Sequence, residues 1–324
     1  MPAPDGHLDT AAEPLAAQPV SAATIAPSGA ETAAGAPPLS RAQRQRRLGV
    51  GGTLAIGWLA FVTLAALLAP VLPLDSPTQN FPSIVSQPPG TDGHLLGGDA
   101  LGRDILSRMV WGARASLLLG VCSVLLGLLV GGLLGLIAGY FRGRVDRVLT
   151  VAFDALLSFP ALILAVTLVT VFASGEGTSA TRRMVVLILA LGVVSIPLLA
   201  RITRANTLAW AQREFVTAAR ALGAKDRSIM FGEVLPNVLP AMFSITLLGI
   251  AVVIVAEGGL SILGVGVQLP TPSWGNILGE GRADLRRAPH IVMVPTVVIF
   301  LTVLALNYLG DVVRARFDVR ESAL

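Results

Sequence analysis

Charge is what this sequence has least of. Of its 324 residues, 14% are Asp, Glu, Lys or Arg and 53% are hydrophobic. A soluble domain carries about 25% charged residues, because water must solvate its surface. With a mean hydropathy of +0.73, the chain reads as an integral membrane protein. Cysteine is reduced to Cys122, which excludes a disulfide framework and any multi-cysteine metal site. That thiol sits in an apolar window far from His7, His94 and His290, so it reads as a small core hydrophobe. No nucleophile–base pair and no metal-ligand spacing is visible, and a non-catalytic chain without its own cofactor or metal is expected. Lysine is reduced to Lys225. A phosphate-cradling loop needs Gly-x4-Gly-Lys-Ser/Thr, and Lys225 is followed by Asp226 instead. The formal net charge of +4 would suggest nucleic acid in a soluble protein. In a membrane protein a basic excess reports topology, so no nucleic-acid partner is expected.

What the sequence does have is a series of long windows without charge. They cover 48–74, 115–141, 155–175, 184–200, 234–256 and 288–310. A helix needs about 20 residues to cross the hydrocarbon, with a range of about 17–25. The expectation is an all-α polytopic protein with six transmembrane helices, the first at 47–74. The basic run Arg41, Arg44, Arg46 and Arg47 lies too deep for a signal peptide, and the apolar core of a signal peptide is only about 7–15 residues. Residues 1–46, rich in Ala, Pro, Ser and Thr, read as a disordered tail. The stretch 258–279 is also free of charge but is broken by glycines and by Pro270 and Pro272. Such a backbone would be unsatisfied in lipid, so it reads as a loop or re-entrant segment packed on protein.

Six spans put both termini on one side, and basic residues choose the side. Segments on the N-terminal side hold 16 Lys and Arg, and the opposite side holds 8. Both termini therefore read as cytoplasmic. Segments 75–114 and 258–287 are then external, 201–235 is the main cytoplasmic loop, and 311–324 is a cytoplasmic tail. The spans belong among membrane lipids.

The loop 201–235 has too much pattern for a connector. Residues 214–222 read as a short helix carrying Ala218, Ala219, Ala221 and Leu222 as a flat apolar patch. Gly223 can take the left-handed conformation that stops a helix, and Asp226 can cap the next one. Such an elbow suits docking into a groove of a partner, or else rests on lipid headgroups; the residues alone leave both open.

The run Phe215-Val216-Thr217-Ala218-Ala219-Arg220-Ala221-Leu222-Gly223, with Leu235-Pro236 at its proper distance, resembles the EAA loop of ABC importer permeases in its peptide/nickel-branch version. Thr217 stands where the general pattern has glutamate, and Glu233 where it has isoleucine. The segment from Leu96 to Leu117, the run from Leu260 to Asn276, and Asn307, Leu309, Gly310, Asp311 and Arg314 resemble the C-type permeases of dipeptide/oligopeptide importers. The resemblance covers about 47–320. It implies the type I ABC importer permease fold and a pathway formed with a second, B-type permease. It also implies two ATP-binding subunits, which bind the ATP and Mg, and an extracytoplasmic solute-binding protein. The ATPase contact would fall on Phe215, Thr217, Ala218, Ala219, Arg220, Leu222, Gly223, Leu235 and Pro236. The implied cargo is di- or oligopeptides, with nickel, glutathione or another small solute as alternatives.

The remaining candidates keep two readings each. Gln268, Pro270, Pro272, Trp274 and Asn276 form either an external surface that meets the binding protein or caps the pore, or a plug that stabilises the fold. The acids Asp154 and Glu257 are costly in lipid. They line the pathway, or they are partnered structural acids, Asp154 with Arg147 or Arg201 and Glu257 with an external arginine. An ion-gradient-driven secondary transporter is the rival class. Such proteins place ionisable groups or broken helices near the midplane, whereas these windows are nearly free of charge.

Overall fold

The computed structural model describes residues 49–173 and 179–321. The expected tail at 1–46 lies outside the described residues. Among them the regular structure is helical: α1 (Val50–Leu68), α2 (Ile105–Phe141), α3 (Gly143–Leu157), α4 (Ala161–Ala173), α5 (Ala180–Trp210), α6 (Glu214–Ala221), α7 (Asp226–Ile262), α8 (Trp274–Gly281) and α9 (His290–Glu321). Five of these, α1, α2, α5, α7 and α9, are long and apolar enough to cross a membrane alone. The pair α3 and α4 makes a sixth span if its 83° bend is included.

That bend departs from the single helix expected at 155–175. The break falls at Ser158, Phe159 and Pro160. The Pro160 ring clashes with the carbonyl four residues back, and proline disfavours helical geometry at Phe159. Alone, the 13 residues of α4 reach only about 20 Å at 1.5 Å per residue, so the crossing needs part of α3 as well.

Helix α2 also starts earlier than its charge-free window, at Ile105 rather than Ala115. Asp104 caps it by accepting from the Ser107 N–H at 2.7 Å. Its first turns can carry Arg108 because that guanidinium is buried against Asp99 and Glu280.

In lipid, burial gives helices little reason to associate; close packing and hydrogen bonds do the work. The central pair, α2 and α5, shows this. A Cβ on Gly131 would lie 2.4 Å from the Ile196 carbonyl oxygen, one on Gly135 2.3 Å from that of Ala200, and one on Gly139 2.8 Å from that of Arg204. The four-residue spacing makes one ridge on each helix, and the two backbones meet along it. On the other side, α7 packs on α9, where Ser244 donates to the Gly310 carbonyl at 2.8 Å. Helix α1 leans on α9 through Trp58, whose indole donates to Thr302 Oγ1 at 3.1 Å.

Candidate functional site

The elbow sits at one end of this bundle. Arg213 precedes α6 in extended geometry, and Gly223 ends the helix with φ +82°. The Ala224 N–H reaches the Ala219 carbonyl at 3.1 Å and the Gly223 N–H reaches that of Arg220 at 2.9 Å, the double bond of a Schellman stop. The helix–glycine–helix reading is therefore what the backbone adopts. Asp226 plays a different part from the expected cap: it makes no capping bond, and its Oδ1 accepts from the Tyr140 hydroxyl of α2 at 2.8 Å. Arg220 lies 5.3 Å over the Tyr140 ring. Tyr140 thus ties both arms of the elbow to α2, a role that sequence spacing did not signal, since the residues are 86 apart.

Beneath the elbow Val216, Ile229, Met230, Val234 and Val238 form a buried cluster with Leu136 and Tyr140 of α2, and Ala219 and Leu235 pack against it. The flat patch is accordingly divided. Ala219 faces inward in part, while Thr217, Ala218, Ala221 and Leu222 are exposed, Leu222 at 88%. Phe215 is on the exposed edge, beside Trp210. Helix α7 is wound more widely over Ile229–Val234. The ring of Pro236 would meet the carbonyl of Gly232, and the wide turn relieves that clash.

The other end of the bundle holds the candidates from the glycine-rich stretch. Trp274 is 1% exposed. Its N–H donates to Ser116 Oγ at 3.0 Å and its indole to the Met109 carbonyl at 3.1 Å, both on α2. Asn276 closes a capping box with Ser273 and ties the preceding loop through Nδ2 to the Thr271 carbonyl at 2.8 Å. Pro272 is buried as well, whereas Gln268 and Pro270 are exposed. Trp274 and Asn276 are therefore a plug of the fold and not a free surface. The carboxylate of Glu257, 1% exposed, meets no arginine among the described residues. Its Oε1 accepts from Ser261 at 2.8 Å and from Ser273 at 2.9 Å. Gly275 crosses so close to it that a Cβ would lie 2.5 Å from Oε2. Asp154 pairs with Arg201, both about half exposed.

One group escaped the sequence reading. Asp99 and Glu280 hold Arg103 and Arg108, with Arg103 Nε 2.7 Å from Asp99 Oδ2 and Arg108 NH1 2.9 Å from Glu280 Oε2. Arg108 is 1% exposed. These groups pin the far end of α8 to the start of α2. Sequence spacing gives no sign of the group, because 172 residues separate Arg108 from Glu280.

The family described as binding-protein-dependent transport system inner membrane component matches residues 131–322. A glutathione transport system permease protein, GsiD, of Pectobacterium atrosepticum is 41% identical over 225 residues, 69% of this chain and 72% of the relative. GsiD of Escherichia coli is 38% identical over 276 residues, 85% of this chain and 88% of the relative. The di/tripeptide permease DppC of Pseudomonas aeruginosa is 38% identical over 273 residues, 82% and 87% of the two chains. A solved structure of the inward-facing MetNI methionine ABC transporter shares the fold, with a TM-score of 0.54 at 21% identity over 65% of this chain and 95% of that one. The chain belongs to the binding-protein-dependent transport system inner membrane components, as a permease subunit of an ABC importer.

Proposed function

We propose that this permease carries short peptides, including glutathione, into a bacterial cell together with a second, B-type permease. Two separate ATP-binding subunits drive it, and an extracytoplasmic binding protein supplies the cargo. The named functions of the relatives, glutathione and di/tripeptide transport, support the cargo class. The basic asymmetry of the loops supports an orientation with both termini in the cytoplasm. ATP and Mg belong to the partner subunits in this reading.

The observation that carries the mechanism is the elbow. It presents Ala218, Ala221 and Leu222 outward while its inner face is locked to α2 and to the start of α7. A small apolar face on a rigid mount lets a partner approach closely and push on the bundle without bending the lever. Closing of the ATPase dimer would then reach the opposite end through α7, whose last two turns hold Glu257 and, through Ser273, the start of α8.

Leu222→Glu tests this reading. The side chain is exposed in this subunit, so the permease should insert and fold normally. A charge in a desolvated contact costs several kcal/mol if unpaired. ATPase subunits should co-purify at reduced occupancy, and uptake should fall with them. Full occupancy and full uptake would show that the elbow lies on lipid headgroups.

A further inference from the structure

Where the elbow joins the long helices, a recess of about 510 Å³ lies between the last turns of α2 and the first turns of α7. Ile137 and Phe141 line it from α2, and Arg227, Met230 and Phe231 from α7. The lining is apolar except for Arg227. Phe141 and Phe231 are both nearly half open to the surroundings, and Arg227 is exposed. Arg227 and Phe231 are four residues apart, so a cation and an aromatic ring border one recess from a single stretch of helix. Asp226, the acid next to Arg227, is held by the Tyr140 hydroxyl and borders a separate recess, which carries Arg142 and Arg220 as further cations.

The depth of the recess decides its occupant. Phe141 is the last residue of one charge-free window, and Val234 is the first of another. The recess therefore straddles the level at which hydrocarbon gives way to headgroups. At that level an exposed apolar wall is solvated by acyl chains and an exposed cation by phosphate. Basic pockets between membrane helices hold anionic headgroups for this reason. We infer that the recess binds one anionic phospholipid from the leaflet on the elbow's side, with its phosphate on Arg227 and an acyl chain along Ile137, Phe141 and Phe231. The inference needs neither the cargo nor the ATPase, only that α2 and α7 cross a membrane. Met230 lines the recess and also belongs to the buried cluster beneath the elbow, so the bound lipid touches the mount of the elbow itself.

The test uses the whole importer in detergent and native mass spectrometry, which counts the lipids each complex retains. The probes are phosphatidylglycerol and diacylglycerol with the same acyl chains, one with the phosphate and one without. Arg227→Gln should weaken retention of phosphatidylglycerol about fivefold, the worth of one arginine near an anionic headgroup, and leave diacylglycerol unchanged. Phe231→Ser should lower retention of both, since it removes apolar wall. Both side chains are exposed, so both variants should fold. Arg144→Gln is the control: that arginine is exposed just beyond the end of α2 and does not line the recess. An equal loss in Arg144→Gln would mean that basic charge acts diffusely, and the site is overturned. Equal effects of Arg227→Gln on the two probes, or none on either, also overturn it. If a partner subunit covers the recess in the assembled importer, the wild type retains no more of either lipid than Phe231→Ser, and the proposal fails. Inorganic phosphate at millimolar concentration should not displace the lipid; displacement would make this a phosphate site and not a lipid site.

Discussion

Glu257 contributes an acceptor to its surroundings, since two serine hydroxyls on different elements donate to one of its oxygens. Glu257→Gln keeps a carbonyl oxygen in that place, so the solubilised complex should melt close to the wild type. Glu257→Ala leaves both hydroxyls without their acceptor, at about 1–3 kcal/mol for each that stays buried and unpaired, and its melting temperature should drop clearly. Equal loss in both variants would mean that the charge itself matters. Trp274→Ala removes a fully buried side chain and should cost about 3–5 kcal/mol. Its uptake should fall in step with thermal stability, and a transport defect at unchanged stability would revive Trp274 as a docking residue. These roles were half legible. The sequence marked Glu257 and Trp274 as special because an acid beside a span and a tryptophan among glycines and prolines are uncommon. It did not reveal their partners. Hydroxyl donors such as Ser261 and Ser273 carry no pattern of their own.

Among the elements, the elbow was the most legible, because its geometry is local. A glycine at the end of a short alanine-rich helix can be read without knowing the fold, and Gly223 takes the positive φ that this requires. Gly223→Val should therefore strain the elbow by on the order of 1–3 kcal/mol. It has open space around it, so the bundle should stay folded while ATPase binding and uptake weaken together. The inward turn of Ala219 was not legible. It depends on where Tyr140 and Leu136 lie, and α2 is remote in sequence. The packing of α2 on α5 shows the same division. Glycines along a helix permit close approach, but they do not say which helix approaches. Gly135→Ala should force the Ala200 carbonyl away from α2 and sharply lower the yield of folded permease. Gly232→Ala has open space and should be tolerated, since it meets no neighbouring helix. Membrane extraction followed by size-exclusion chromatography separates the two outcomes.

At the scale of the whole molecule, exposed apolar side chains mark the surface that must be covered, and basic residues bear on the orientation. The bent pair α3 and α4 exposes Val148, Val151 and Ile163 at over 60%, and α4 packs mainly on α5. Apolar side chains so open need lipid or the second permease against them. The number of crossings was legible in the sequence from charge alone, yet the shape of the third was not, because a proline shows where a helix breaks and not how far the halves turn. The expected orientation rests on counts of basic residues, which assume that the arginines stay at the surface. Arg108 does not: it is neutralised inside the protein. Removing it from the outer tally strengthens the asymmetry, since its charge never faces a leaflet. The prediction is then direct. In a Cys122→Ser background, Ala224→Cys beside the elbow and Ala283→Cys after α8 are both exposed. An impermeant thiol reagent added to intact spheroplasts should label the variant at 283 and spare the variant at 224, with the pattern reversed in inside-out vesicles. Labelling of position 224 from outside would invert the molecule. It would also remove the elbow from the side where ATP is, and the coupling mechanism with it.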